Sequence, residues 1–128
     1  MDKKEVRQIN TTALAYLGDA VYEVVIRKYI METGQYNADR LHKIAVRYVC
    51  AEGQALAIKR LIEELTEEEQ SLVRRARNRK ITSKPRNVEP ITYKWATAFE
   101  AFVGYLHLTE QQERLDWFIG RAIEIINE

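Results

Sequence analysis

Apolar residues recur at helical rather than strand spacing along most of the chain. Leu14, Leu17, Val21, Val24 and Val25 form one such stripe and predict a helix from about Thr12 to Thr33. Asn10, Thr11 and Thr12 offer capping oxygens before it, and Gly34 is a suitable stop. At 100° per residue, Asp19 falls on nearly the opposite side, in a second apolar sector with Tyr22, Ile26 and Ile30. A helix that is apolar on two sides is expected to be covered from both, by the rest of the domain and by a second subunit, with Asp19 at the seam.

Four further segments complete an all-α reading. Asn37 or Asp39 can cap a helix over about Ala38 to Glu63, packed by Leu41, Ile44, Ala45, Tyr48, Val49, Ala55, Leu56 and Ile58, with a break possible near Gly53. Thr66-Glu67-Glu68-Glu69 has the form of a capping box opening a third helix. Residues 81–90 carry both prolines and several small polar residues, and read as the chain's one convincing loop. A helix over about Ile91 to Leu108 carries Trp95, Phe99, Phe102, Val103 and Leu106 on one face. A last helix runs from Glu110 to near the end, with Leu115, Phe118, Ile119, Ala122, Ile123 and Ile126. No Asn-Gly or Asp-Gly turn and no sustained alternation supports a strand.

Length and composition narrow the class. A chain of 128 residues is expected to be one domain, residues 1–128. With 46% hydrophobic and 30% charged residues it is an ordinary globular composition. No apolar run reaches the roughly 18–20 residues that span a bilayer, and no apolar signal region follows the N-terminus, so a cytoplasmic, membrane-free setting is expected. Cys50 is the single cysteine. It excludes an intrachain disulfide and reads as an inert core thiol.

A net charge of +1 hides a polarised chain: residues 63–69 hold five acids and no base, and 74–86 hold seven bases and no acid. The capping box and helix dipole account for most of the acids. The bases are Arg74, Arg75, Arg77, Arg79, Lys80, Lys84 and Arg86. They suit either a solvated helix end or phosphate oxygens, and without interleaved aromatics they favour a duplex backbone over stacked single strands.

Two acids stand out. Asp19 follows Gly18 inside an apolar run, and Glu100 has Ala96, Thr97, Val103 and Gly104 as its helical neighbours. Small residues around an acid admit another backbone, and Gly104 in mid-helix calls for a packing or site reason. Two such carboxylates fit a hard-cation site of the Mg²⁺ type. Burial against a Lys, an Arg or a backbone amide is an equally open reading. Glu23 is placed for an i,i+4 pair with Arg27, or for a contact to the site through water. His42, near a helix start, reads as a surface or hydrogen-bonded residue.

These segments carry a resemblance. Tyr16-Leu17-Gly18-Asp19-Ala20-Val21 is similar to the signature helix of the ribonuclease III family, and Ala98-Phe99-Glu100-Ala101-Phe102-Val103-Gly104-Tyr105-Leu106 to that family's second catalytic helix. Leu41-His42-Lys43, Gln54-Ala55, Arg77-Asn78-Arg79-Lys80, residues 82–87, Thr92-Tyr93 and 97–101 resemble the Mini-ribonuclease III branch, which lacks a double-stranded-RNA-binding domain. The likeness covers about residues 10–110, and a chain ending at 128 fits the missing domain.

The resemblance implies a Mg²⁺-dependent homodimeric endonuclease, with Asp19 and Glu100 as metal ligands and catalytic residues. It implies that double-stranded RNA is the substrate, in particular precursor 23S ribosomal RNA, with a ribosomal protein or the assembling large subunit as a further partner. The seven bases would bind RNA. The family's usual outer acids are replaced by Thr12, Ala15 and Thr97, which supports one metal per site more firmly than two. The alternative is an inactive RNA-binding or assembly module on the same scaffold.

Overall fold

The computed structural model describes residues 1–80 and 87–128, and the described residues contain helices and no strand. In chain order the helices are α1 (Lys3–Arg7), α2 (Thr11–Met31), α3 (Ala38–Val49), α4 (Ala51–Leu61), α5 (Glu67–Asn78), α6 (Pro90–Leu108) and α7 (Gln112–Asn127), with a short 3-10 turn at Ile62–Glu64.

Local chemistry sets most boundaries. Asn10 Oδ1 accepts from the Thr12 amide at 2.7 Å and starts α2, while Gly34 takes a positive φ of 96° just beyond its end, a conformation that glycine adopts without strain. The capping box is complete: Thr66 Oγ1 accepts from the Glu69 amide at 3.2 Å, and Glu69 Oε1 accepts from the Thr66 amide at 2.9 Å. Pro90 opens α6 at its first turn, where its missing N–H has no helical partner to lose.

α6 is the axial helix. Ala96, Ala98, Phe99 and every residue from Ala101 to Leu106 are buried, so it is apolar all round, as expected of a helix surrounded by others. α2, α4, α5 and α7 pack about it, and α2 makes the most extensive contact. Phe99 joins the layers, with its ring 4.8 Å from Tyr22 of α2 and 5.1 Å from Phe118 of α7.

The sequence expectations need four corrections. The helix expected from Ala38 to Glu63 breaks at Cys50, whose ψ of 157° is extended. Cys50 is therefore a half-buried junction residue, its Sγ 3.6 Å from the Arg47 carbonyl oxygen, rather than a mid-helix core thiol. Ile44 and Leu56, expected in the core, are exposed. On α2, Leu14 is fully buried but Val24 is exposed, because the side carrying Leu14, Gly18 and Tyr22 is the one that meets α6. Finally, α1 lacks periodic apolar residues and was not foreseen; Asp2 caps it and Val6 anchors it in the core.

Candidate active site

The site is set by the crossing of α2 and α6, where the two backbones touch. A Cβ added to Gly18 would lie 1.7 Å from the Glu100 carbonyl oxygen and 2.9 Å from the Gly104 nitrogen. A Cβ on Gly104 would lie 2.1 Å from the Leu14 carbonyl oxygen. Real carbon contacts begin above 3 Å, so neither position admits any other residue without parting the helices. Helix-interior glycine sacrifices about 1 kcal/mol against alanine, and this approach is the reason for both.

The crossing brings together two carboxyls that lie far apart in sequence. Asp19 follows Gly18 and is exposed; Glu100, opposite, is half-buried. Burial first, then the facing Asp19 and to a smaller extent Glu23, together push the Glu100 carboxyl up to about 9. Two like charges held at the edge of an apolar core repel each other and favour a proton or a cation between them. Gln54 on α4 opposes this from the other side: its amide lies beside Glu100 and favours the charged form. Gln54 is itself 2% exposed, and its Nε2 reaches no acceptor within hydrogen-bond distance. In the sequence Gln54 stands out only as part of the Gln54-Ala55 pair, with nothing there to assign it to the site. A polar residue on the apolar face of α4 is the signal that could have found it.

The donor set suits a hard cation. Asp19 and Glu100 offer oxygen only, and no group of three or more His, Cys, Asp or Glu with metal-binding geometry occurs among the described residues. Two protein carboxylates with water or phosphate oxygens making up the shell is the habit of Mg²⁺, not of metals that prefer sulfur or imidazole. Glu23 pairs with Arg27 at 3.1 Å, the i,i+4 contact expected from the sequence. Thr97 gives its hydroxyl to the Tyr93 carbonyl at 2.9 Å. His42 is exposed and lines a groove with Glu23 and Arg27.

The basic segment divides by position. Arg74, Arg79 and Lys80 are exposed at the C-terminal half and end of α5. Arg75 is tied down, donating to the Arg7 carbonyl at 2.7 Å. Arg77 is half-buried with its guanidinium 4.9 Å over the Trp95 ring, a cation–π contact. Lys84 and Arg86 lie outside the described residues. The acidic stretch holds a buried carboxylate. Glu69 takes a bidentate pair from Arg114, at 2.9 and 2.6 Å, which with the Thr66 amide holds its carboxyl below the usual range against the opposing effect of burial. That pair clamps α5 to α7 away from the crossing.

Residues 12–111 match the family model described as Ribonuclease III domain. The Mini-ribonuclease 3 of Enterococcus faecalis is 42% identical over 127 residues, covering 98% of this chain and 96% of the relative. That of Symbiobacterium thermophilum is 45% identical over 113 residues, covering 88% and 87%. A crystal structure of a protein from Fusobacterium nucleatum superposes with a TM-score of 0.84 at 36% identity, covering 92% of this chain and 96% of that one. The chain belongs to the ribonuclease III family, in its Mini-ribonuclease 3 branch.

Proposed function

We propose that this chain, as one catalytic domain, cuts double-stranded RNA with Asp19 and Glu100 holding a Mg²⁺ ion, and that it matures the ends of precursor 23S ribosomal RNA. Family membership makes it an endoribonuclease acting on duplex RNA; the site residues, the cation and the particular RNA are the added reading. The observation that carries it is the glycine crossing, which sets two carboxyls of an oxygen-only site face to face.

When bound, Mg²⁺ supplies polarisation of the scissile phosphodiester and makes a water more acidic. The chain's own contribution is placement. Asp19, exposed, faces the incoming RNA and accepts a proton or hydrogen bond from the attacking water. Glu100, half-buried, anchors the far side of the site, where its oxygens are shielded from bulk water. Hydrolysis leaves 5′-phosphate and 3′-hydroxyl ends. Arg74, Arg79 and Lys80 contact phosphates across a groove, and Lys84 and Arg86 extend that grip. Arg75 and Arg77 shape it through their contacts to Arg7 and Trp95.

A second copy of the chain completes the assembly. Tyr16 is 85% exposed and Val24 67%, and with Ala20 and Val21 they form an apolar strip on α2 beside a groove that includes His107 and Leu115. A homodimer formed over this strip sets two sites on one duplex, each cutting one strand. The protein acts in the cytoplasm, on the assembling large subunit or with a ribosomal protein on the RNA. No helix among the described residues is long and apolar enough to cross a membrane.

The deciding experiment is Asp19→Asn, assayed for cleavage and for binding of a double-stranded RNA in Mg²⁺. Lost cleavage with binding largely kept is expected. Unchanged cleavage overturns the site assignment, and a parent protein that binds but never cuts any duplex makes this a binding module.

A further inference from the structure

Gln54 Nε2 is the one buried side-chain nitrogen or oxygen without a hydrogen-bond partner among the described residues. A buried donor left unmatched weakens a fold, and native proteins keep few of them. A leucine or methionine fills the same volume on the apolar face of α4 at no such penalty, so packing alone gives no reason for an amide here. The amide sits in the first turns of α4, which packs along α6, and its neighbour across that interface is the Glu100 carboxyl.

An amide nitrogen donates and does not ligate a cation. Its place is therefore behind the carboxylate, on an oxygen the cation does not use. We propose that Gln54 is a positioning residue: its Nε2–H closes onto one Glu100 oxygen and turns the other toward Asp19, so that the carboxylate is aimed for the cation. This rests on the reading of Asp19 and Glu100 as the metal-holding pair. It gives the thinned acid set of this chain a physical counterpart, since a neutral donor behind one acid does part of the orienting that further acids otherwise supply. Hydrogen-bonded partners behind metal ligands commonly change metal affinity or activity by about 10- to 100-fold when removed.

The test uses Gln54→Leu and Gln54→Met in the full chain. Mn²⁺ binding to the RNA-free protein is counted from the EPR signal of the free ion, alongside kcat and KM on a duplex RNA and the metal-free melting temperature. Expected are about tenfold weaker Mn²⁺ binding, a kcat at least tenfold lower with KM unchanged, and a melting temperature equal to the parent's or higher. Parent-like Mn²⁺ affinity and kcat in both variants overturn the proposal. Loss of the fold in both variants makes Gln54 a packing residue and overturns it too. Asp19→Asn run in parallel keeps the two levels apart: if it loses Mn²⁺ binding while the Gln54 variants do not, the metal pair stands and only the role of Gln54 falls.

Discussion

Gly18→Ala is the sharpest perturbation the structure offers. The added methyl would start 1.7 Å from the Glu100 carbonyl oxygen, and ordinary contact begins near 3.4 Å. The obstacle is backbone on a central helix, so it has no rotamer by which to step aside, and α2 and α6 must part by more than 1 Å. Overpacking of a core typically costs about 1–3 kcal/mol, and a rigid backbone obstacle belongs at the upper end. Alanine's better helix propensity returns about 1 kcal/mol, leaving a net loss of roughly 2 kcal/mol, or about 8 °C in melting temperature for a chain of this size. Activity falls further, because the same displacement separates Asp19 from Glu100, and a misplacement of about 1 Å at a reacting centre costs on the order of 100-fold. The assay pairs urea unfolding with Mg²⁺-dependent cleavage of a duplex RNA. Gly120→Ala is the control: it lies in mid-α7 with nothing within 4 Å of an added Cβ, and should gain up to about 1 kcal/mol with cleavage unchanged. A Gly18→Ala protein that behaves like the Gly120→Ala protein would refute the crossing.

Three further outcomes are expected. The folded Glu100 carboxyl, raised from 4.5 to about 9, binds its proton more tightly than in the unfolded chain, so its contribution to stability is fully present below about pH 4.5 and drains away as pH rises toward 9. Metal-free Glu100→Gln should therefore flatten the stability–pH curve across that window by on the order of 2 kcal/mol, solvent access to the carboxyl discounted, as read by melting temperature in EDTA. Arg114→Met strands the nearly buried Glu69 carboxylate and should lose about 2 kcal/mol at pH 7. Because the Glu69 pKa is depressed, the loss should shrink as pH falls below about 4.5, and a gap that persists in acid would argue against the pair. Reversing Arg74, Arg79 and Lys80 to Glu should weaken duplex binding and make its dependence on log salt shallower by about one unit for each lost phosphate contact; an unchanged slope would mean these bases do not touch the backbone.

The helices were legible because their signals are local. Asn10, Thr66 with Glu69, Pro90 and Gly34 each act within a few residues, and the structure places helix ends within two residues of most expectations. The break at Cys50 was hidden because Gly53 carried the visible warning, while the kink came from a residue with no conformational preference of its own. Gly104 and the small residues around Glu100 did announce a close approach, and the partner proved to be Gly18. What spacing within a helix could not supply was Gln54, whose meaning depends on which α6 residue it meets. Nor could charge counting separate Arg74 and Arg79 from Arg75 and Arg77, which are occupied by a carbonyl and an indole ring.

The glycine crossing also ties the chemistry to the completion of folding. Residues 18 and 104 approach only when the chain between them has closed, and the unfolded ensemble offers a cation no preformed pair of carboxyls. Any free energy with which a cation prefers this pair therefore becomes stability of the whole fold, growing with the logarithm of cation concentration. During synthesis, α2 emerges before α6, so a growing chain carries Asp19 without Glu100. The two carboxyls therefore meet only after the whole stretch from α2 through α6 has been made.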